Sequence, residues 1–295
     1  MKFTMIKDSS FLVVSTLRNV ERVLIKEYSN ISKALKTAKS VSFYFVESDS
    51  QDGTLELLKN LKQINANFNF VSLGNLRDEI SDRIERIRFC RNSYVSYIRN
   101  NYEEGKWDYV LVLDLDGNCK RLSQRAISSC FVENYNWDAC FANQLLGYYD
   151  IYALRADNWN DDDCLLRTYS RKLEISSDIS KQSWFKRFIL IDKIRHDEIY
   201  SKMYFIPFWK KWIPVKSAFG GAGIYKAKLF TIADYSKSSL NSHVICEHVD
   251  LHINLTKYGY DEFYINPKFI NLYLNEHVLN KSKVIRFMKY VKKSI

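Results

Sequence analysis

The sequence lacks any long hydrophobic run. No window approaches the roughly 20 consecutive apolar residues that a membrane-spanning helix needs. The opening stretch, MKFTMIKDSSFLVVSTLRN, holds only a short apolar run with no small-residue cleavage site after it, so it does not resemble a secretory signal. We therefore expect a soluble protein of the cytoplasm.

Closely spaced cysteines are also absent. The chain has six cysteines, and no two of them form a CxxC pair. Zinc sites and small disulfide frameworks usually show closer spacing, so this pattern favours reduced and mostly buried thiols. The six are Cys90, Cys119, Cys130, Cys140, Cys164 and Cys246.

Acidic residues are the scarcer charge type. The chain has 34 Asp and Glu against 44 Lys and Arg, which gives a formal net charge of +10. Such a charge suggests an anionic partner, either a nucleotide, a nucleic acid or a membrane surface. At 295 residues and 46% hydrophobic, the chain can bury a substantial core, and a single α/β domain of this size is common.

The first half of the chain alternates strand and helix patterns. Strands separated by helices imply right-handed crossovers and a parallel sheet, in which ligands lie beyond the carboxyl ends of the strands. The predicted strands are Phe11–Ser15, Val41–Val46, Phe68–Ser72 and Tyr109–Leu113, and the predicted helices are Val20–Ala38, Thr54–Ile64 and Leu76 to about Tyr102.

The fourth predicted strand runs directly into two carboxylates, in VLVLDLDGN. In a tight turn Asp114 can reach a ribose or sugar hydroxyl and Asp116 can ligate a hard cation, while Gly117 and Asn118 turn the chain away. Mg²⁺ and Mn²⁺ favour carboxylate oxygens and keep positions open for phosphate oxygens. An isolated DxD at a strand end is more often a solvated turn, so the neighbouring segments decide.

Five segments follow one another along the chain: ESDSQDGT, CRN, LDLDGN, FGGAGIYK and EHVDLHINLTKYGY. In this order they resemble the nucleotide-sugar-dependent glycosyltransferases of the GT-A fold, most closely the family-2-like and capsule-associated mannosyltransferase-like groups. The resemblance implies a single α/β domain over residues 1–280. Its centre would be a Rossmann-like, mostly parallel sheet flanked by helices, with a helical aromatic and basic insertion and a C-terminal helix.

The resemblance also implies a nucleotide-sugar donor and a divalent metal, Mn²⁺ or Mg²⁺. The implied metal ligands are Asp116, Asp114 and His277, although for His277 an exposed histidine with no such role is the favoured interpretation. Ser48 stands where the family has a second acidic residue, so one expected carboxylate is missing. UDP is mildly preferred to GDP. The implied donor-binding residues are Ser15, Thr16, Arg18, Glu47, Ser48, Arg91, Asp114, Gly220 and Gly221.

Two more donor contacts are predicted from the local sequence YYDIYALRADNW. An Asp or Arg beside an aromatic wall is a common way to hold a sugar, so Asp150 and Arg155 can reach donor hydroxyls. The alternative is a packed strand followed by a solvated acidic turn.

The catalytic prediction centres on EHVDLH. His248 occupies the position of the family's catalytic Asp, and an inverting reaction needs a base within hydrogen-bond reach of the acceptor hydroxyl. An imidazole with a pKa of about 6.5 can serve. Glu247 and His248 rank level, ahead of Asp250, and a retaining enzyme would need no such base, so the stereochemistry stays open. A structural role is the alternative for His248, and for Asp250 and His252 it is the favoured interpretation.

Two segments depart from the family pattern. The insertion, from about residue 167 to 216, is aromatic and basic, and would form the acceptor side or a lid, because aromatic faces stack on sugars and cations suit acidic sugars or phosphate-bearing lipids. Ordinary core aromatics are the alternative. Residues 281–295 carry six Lys and Arg and no acid, which predicts peripheral contact with an anionic membrane, or else a frayed terminus.

These patterns predict a metal-dependent transfer of sugar to a hydroxyl of a glycan or glycolipid, in surface polysaccharide or glycan synthesis. A basic nucleic-acid-binding protein would use the charge and the aromatics but leaves the DxD unexplained, so we expect no nucleic-acid partner. A sugar nucleotidyltransferase would need a glycine-rich, basic loop after the first strand, whereas STLRNVER has no glycine.

Overall fold

The computed structural model of the protein describes residues 6–131, 135–175, 183–237 and 245–279. Helices pack around a central sheet. Its strands are β1 (Ser10–Leu17), β2 (Ser40–Glu47), β3 (Phe68–Ser72), β4 (Tyr109–Leu113), β5 (Ala139–Gln144), β6 (Ile213–Pro214), β7 (Ala222–Lys226) and β8 (Phe263–Leu272). The helices are α1 (Glu21–Ala34), α2 (Thr54–Ile64), α3 (Leu76–Glu79), α4 (Arg83–Asn101), α5 (Gln124–Ser128), α6 (Cys164–Glu174), α7 (Trp184–Glu198), α8 (Leu229–Ile232), α9 (Glu247–Thr256) and α10 (Glu276–Leu279).

The eight strands form one sheet in the order β3-β2-β1-β4-β7-β5-β8-β6. Strands β1 to β4 form a parallel block, and β5 pairs with β8 in parallel. Strand β7 runs antiparallel between β4 and β5, and β6 runs antiparallel to β8. The predicted mostly parallel α/β sheet is therefore confirmed, and the carboxyl ends of β1, β2 and β4 meet at one edge.

Both faces of the sheet are buried, as continuous apolar strands require. Along β1, Leu12 and Val14 face one hydrophobic cluster, while Phe11 and Val13 face the other. Helix α4 covers the first face, and α1 and α2 cover the second. All six cysteines are buried free thiols, as the sequence predicted.

The predicted helix from Leu76 to about Tyr102 is two helices, α3 and α4. The chain is extended at Asp82, whose carboxylate accepts hydrogen bonds from the backbone N–H groups of Ile84 and Glu85 at 2.8 and 2.9 Å. An N-cap of this kind begins a new helix. The sequence keeps a helical periodicity across this point, but the backbone leaves the helical conformation between α3 and α4.

The described part of the insertion is helical. Helices α6 and α7 pack together through Glu198, which forms ion pairs with Arg167 at 2.8 Å and with Arg171 at 2.7 Å. The predicted basic tail, residues 281–295, lies outside the described residues. Within the described ranges, no helix is both long and apolar enough to cross a membrane.

Candidate active site

A cleft of about 490 Å³ lies at the sheet edge where β1, β2 and β4 end. Its walls come from the turns after these strands, from α4, from the segment after β5 and from the start of α9. Segments that are distant in sequence therefore meet here. Nine of the predicted site residues line the cleft: Thr16, Arg18, Ser48, Arg91, Asp114, Asp116, Asp150, Glu247 and His248.

The DxD pair enters the cleft on a turn that follows β4. The backbone N–H of Asp114 donates to the carbonyl of Gly221 at 3.0 Å, which extends the β4–β7 pairing by one residue. Gly117 then adopts a φ of 105°, a conformation that favours glycine, and reverses the chain. Asp114 and Asp116 are thus held on an ordered turn at the ligand edge.

Glu27 supports this turn and was missed by the sequence analysis. It is fully buried on α1, and its carboxylate accepts hydrogen bonds from the backbone N–H groups of Gly117 at 3.1 Å and Cys119 at 2.7 Å. Burial raises the pKa of Glu27, and these two hydrogen bonds oppose that rise. The available signal was its spacing between Leu24 and Ile31, which places an acid on the buried face of the helix.

Arg91 joins two carboxylates of the cleft. From α4, its guanidinium donates to Asp114 Oδ1 at 3.1 Å and to Glu247 Oε1 at 3.0 Å. The group is almost fully buried, and its carbon lies 5.3 Å from the ring centre of Phe219 and 5.6 Å from that of Tyr235. One arginine therefore fixes the end of β4 against the start of α9.

The acidic end of the cleft carries unbalanced negative charge. Burial raises the pKa of Asp114 to about 7; Asp116, Glu247 and Asp150 add to the rise, and Arg91 opposes it. A raised carboxylate pKa of this origin indicates that a further positive charge would be stabilised beside the pair. The arrangement fits a bound divalent cation.

Two protein carboxylates, Asp114 and Asp116, would be available to such a cation. Asp116 is exposed and accepts a hydrogen bond from Asn118 Nδ2 at 2.6 Å. In the parts of the chain that the structure describes, no group of three or more His, Cys, Asp and Glu side chains forms a ready metal site. His277 is exposed and stacks on Tyr149 at 5.8 Å, next to the cleft but not on its lining.

Gly220 and Gly221, two predicted donor contacts, are buried behind the DxD pair and lie outside the lining of the cleft. Their φ angles are 66° and 80°. A Cβ on Gly220 would lie 2.7 Å from the carbonyl oxygen of Ala142, and one on Gly221 would lie 2.9 Å from Tyr149 Oη. The backbone N–H of Gly220 donates to Asp150 Oδ2 at 2.9 Å, so Gly220 helps to position Asp150.

His248 is a buried imidazole on the cleft wall. Its ring stacks on Phe219 with centroids 3.8 Å apart, and neither ring nitrogen has a hydrogen-bond partner among the described residues. Burial, then Arg91 and His252, hold its pKa well below the usual value, so the ring is neutral. The neighbouring carboxylate of Glu247 is engaged by Arg91.

Ser15 and Glu47, two predicted donor contacts, lie outside the lining. Ser15 is fully buried within β1. The carboxylate of Glu47 accepts from the backbone N–H of Ser50 at 3.0 Å and from the hydroxyl of Ser72. Glu47 thus orders the turn after β2.

Arg155 and Asp250 also lie outside the lining, and each pairs with another residue. Arg155 forms an ion pair with Asp163 at 2.9 Å, and Asp250 forms one with Arg88 at 2.7 Å. Both pairs are buried. A structural role was the favoured interpretation for Asp250, whereas the burial of Asp163 differs from the solvated acidic turn given as the alternative for Arg155.

Arg83 lines the cleft although the sequence analysis did not select it. It is exposed at the first position of α4, and it lies on the lining together with Arg18, which is also exposed. The cleft therefore combines an acidic end with exposed arginines. Because a single helix was predicted from Leu76 to about Tyr102, Arg83 was placed inside that helix and not at a helix start facing the ligand edge.

The aromatic side chains of the insertion divide into two groups. Trp184, Phe208 and Trp209 are 59%, 52% and 69% exposed, so they are not core residues. Trp212 is buried and stacks on Tyr135 at 4.5 Å. The core interpretation holds for Trp212 alone among these four.

Comparisons with known proteins give similarities to solved structures only. No protein-family model matches the chain, and no curated protein matches it. Staphylococcus aureus TarS 1–349 is similar at 10% identity and a TM-score of 0.42, over 87% of this chain and 57% of that one. The mannosyltransferase PcManGT from Pyrobaculum calidifontis, in complex with GDP-Man and Mn²⁺, is similar at 10% identity and a TM-score of 0.45, over 90% and 56%.

A third similar structure is glucosyl-3-phosphoglycerate synthase from Mycobacterium tuberculosis in complex with UDP. It has 10% identity and a TM-score of 0.41, over 87% of this chain and 69% of that one. The chain spans little more than half the length of TarS 1–349 and of PcManGT. Function therefore has to be argued from the residues of the cleft.

Proposed function

We propose that the protein is a metal-dependent glycosyltransferase that moves a sugar from a nucleotide-diphosphate donor to a hydroxyl of a glycan or glycolipid. The observation that carries the proposal is the Asp114–Asp116 pair, presented on an ordered turn in a cleft of about 490 Å³ at the ligand edge of the sheet. UDP is the favoured nucleotide and GDP the alternative.

Asp114 and Asp116 would hold Mn²⁺ or Mg²⁺, and diphosphate oxygens would complete the coordination. Such a cation, when bound, neutralises charge on the departing diphosphate. Two arginines of the protein would also interact with the diphosphate, because Arg18 and Arg83 are exposed on the cleft lining. Electrostatic attraction by these two arginines draws the diphosphate into the cleft.

The sugar would lie against the cleft wall at Asp150. Backbone N–H groups of Gly220 and Ala153 hold the Asp150 carboxylate at 2.9 and 3.2 Å. A carboxylate fixed by its own backbone partners keeps lone pairs available for ligand hydroxyls. His277, beside Tyr149, is retained as a further metal ligand in the proposal.

His248 is proposed as the group that accepts the proton of the attacking hydroxyl in an inverting transfer. A base needs a free lone pair, and the neutral imidazole offers one; Glu247 is the alternative through Oε2, because its Oε1 already accepts from Arg91 at 3.0 Å. Arg91 keeps Glu247 and Asp114 in place on either side of the reacting groups. Asp250 is left with a structural role.

Nucleotide binding tests the proposal directly. UDP and GDP are titrated by calorimetry with Mn²⁺ and with EDTA, using the wild type and Asp116→Ala. Removal of either the metal or this carboxylate should weaken binding about 10–100-fold. Asp8→Ala is the matched control, because Asp8 is exposed just before β1, at the opposite end of that strand from the cleft. The proposal would be contradicted if the nucleotide affinity were the same for the wild type and Asp116→Ala, and the same with Mn²⁺ as with EDTA.

A further inference from the structure

Helix α6 presents an apolar stripe to solvent. Leu165, Tyr169 and Leu173 follow one another at four-residue intervals and therefore lie on one face of the helix. They are 47%, 56% and 54% exposed, although their neighbour α7 packs on the same helix. Large apolar side chains repeated along a solvent face indicate an interaction surface.

The loop between α7 and β6 adds exposed aromatics. Phe205, Phe208 and Trp209 are each about half exposed or more, and Trp209 contacts the other two rings at 6.4 and 5.0 Å. Lys210 and Lys211 follow directly and are exposed. Both groups belong to the same insertion, and we call the loop residues and the α6 stripe together the insertion face.

The charge of the insertion decides which partner suits this face. Residues 164–216 contain twelve Lys and Arg against five Asp and Glu, a net charge of +7 out of +10 for the whole chain. A second copy that docked through the same insertion would bring two basic segments together, which costs free energy. The partner should therefore present anionic groups at its surface and an apolar layer directly below them.

We propose that the insertion face docks on an anionic lipid surface. Aliphatic and aromatic side chains enter the interfacial layer of a bilayer while neighbouring lysines and arginines bind acidic headgroups. A nucleic acid would satisfy the charge but not the leucines of α6, since its apolar groups are stacked bases. The inference concerns a surface outside the cleft and does not depend on the proposed reaction.

Asp163 connects the start of α6 to the segment that follows Asp150. Asp163 caps α6 by accepting from the backbone N–H groups of Leu165 and Leu166 at 2.8 and 3.0 Å. The same carboxylate pairs with Arg155, which follows the Asp150 segment. Docking through α6 would therefore hold the cleft at a fixed orientation to the membrane.

Vesicle flotation with the full chain tests the inference. We use phosphatidylcholine vesicles with and without 30 mol% phosphatidylglycerol, in low and high salt. The wild type should float with the anionic vesicles, and less at high salt. The triple variant Leu165→Ser, Tyr169→Ser, Leu173→Ser should lose about tenfold or more in apparent vesicle affinity, because three apolar contacts with the bilayer disappear.

The matched control replaces Ile25, Ile64 and Tyr258 by Ser. These residues are 46%, 79% and 63% exposed outside the insertion, so the same types of apolar surface are removed elsewhere. The control should float like the wild type. Both variants keep residues 281–295, and circular dichroism checks that both are folded.

A charge pair completes the experiment. Lys210→Glu with Lys211→Glu should weaken anionic-vesicle binding, whereas Lys36→Glu with Lys39→Glu, two exposed lysines outside the insertion, should not. Equal flotation of the triple variant and its control would overturn the inference. So would a wild-type dimer seen by light scattering and dissolved by the triple variant, or binding to single-stranded RNA but not to vesicles.

Discussion

Arg91 is the residue that holds the cleft together. It is buried and bridges Asp114 and Glu247, so its removal leaves two carboxylates without their cation. Arg91→Met should lower the free energy of unfolding by about 3–5 kcal/mol. Arg99→Met is the comparison, because the Arg99–Asp234 pair is partly exposed and its loss should cost about 1 kcal/mol or less. Urea denaturation measures both, and similar losses would contradict the bridging role.

His248 and Glu247 can be separated by substitution. His248→Asn should lower turnover about 10²–10⁴-fold with little change in donor affinity, since general-base catalysis contributes about that much. Glu247→Gln should change donor affinity too, because it releases Arg91 beside Asp114. Steady-state kinetics and donor titrations measure both effects. If Glu247→Gln loses turnover at unchanged affinity and His248→Asn keeps it, the base is Glu247.

At the scale of elements, α1 supports the turn after β4. Glu27→Gln replaces one of the two acceptor oxygens by an NH₂ group, which faces a backbone N–H of Gly117 or Cys119. The loss should be about 1–3 kcal/mol in unfolding free energy, together with weaker Mn²⁺-dependent nucleotide binding. Glu21→Gln, an exposed acid on the same helix, is the control. Unchanged nucleotide binding in Glu27→Gln would remove its role in the site.

Helix α9 is joined to the sheet by a neutral histidine. His252 shares hydrogen bonds with Ser217 Oγ at 2.7 Å and Tyr225 Oη at 3.0 Å, and burial lowers its pKa to about 3. Below pH about 6.5 the unfolded chain binds a proton at this site that the folded chain does not, so stability falls as the pH is lowered from about 6.5 towards 3.

Urea unfolding at pH 6.5 and pH 5.5 measures this linkage. The wild type should lose about 1 kcal/mol more than His252→Gln over that interval, since one pH unit corresponds to 1.36 kcal/mol when one proton is bound. His248 contributes in the same direction in both proteins, because its pKa is also lowered. Identical pH slopes would show that His252 is protonated in the folded state.

Elements with a strong local pattern could be predicted from the sequence. Helix α2 and strands β3 and β4 have the predicted bounds because an amphipathic or continuous apolar pattern ends in each case at a polar segment. The break before α4 was also readable, since Asp82 followed three residues later by Glu85 is a capping pattern.

The site could be predicted where it depends on a strand end, and not where it depends on distant partners. Asp114 and Asp116 follow directly from the end of β4. The bridge from Arg91 to Glu247 joins residues 156 positions apart, and no local pattern specifies it. The pairing of Asp250 with Arg88 has the same origin.

For the whole molecule, two segments carry all of the excess positive charge. Residues 164–216 have a net charge of +7 and residues 281–295 have +6. Because the whole chain has a net charge of +10, the remaining residues are net negative. A chain ending at Asn280 should float less well with anionic vesicles than the full chain, because each nearby Lys or Arg contributes about 1 kcal/mol. Equal flotation would exclude the tail as a membrane contact.

The central claim is tested most directly by donor hydrolysis followed by NMR. The purified wild type is incubated with a panel of UDP-, GDP- and dTDP-sugars, once with Mn²⁺ and once with EDTA, and the Asp116→Ala variant is incubated with Mn²⁺. The wild type with Mn²⁺ should release one nucleotide. This release should be lost with EDTA and in Asp116→Ala, whose fold should be unchanged. Nucleotide release at the wild-type rate in Asp116→Ala or in EDTA would contradict the claim.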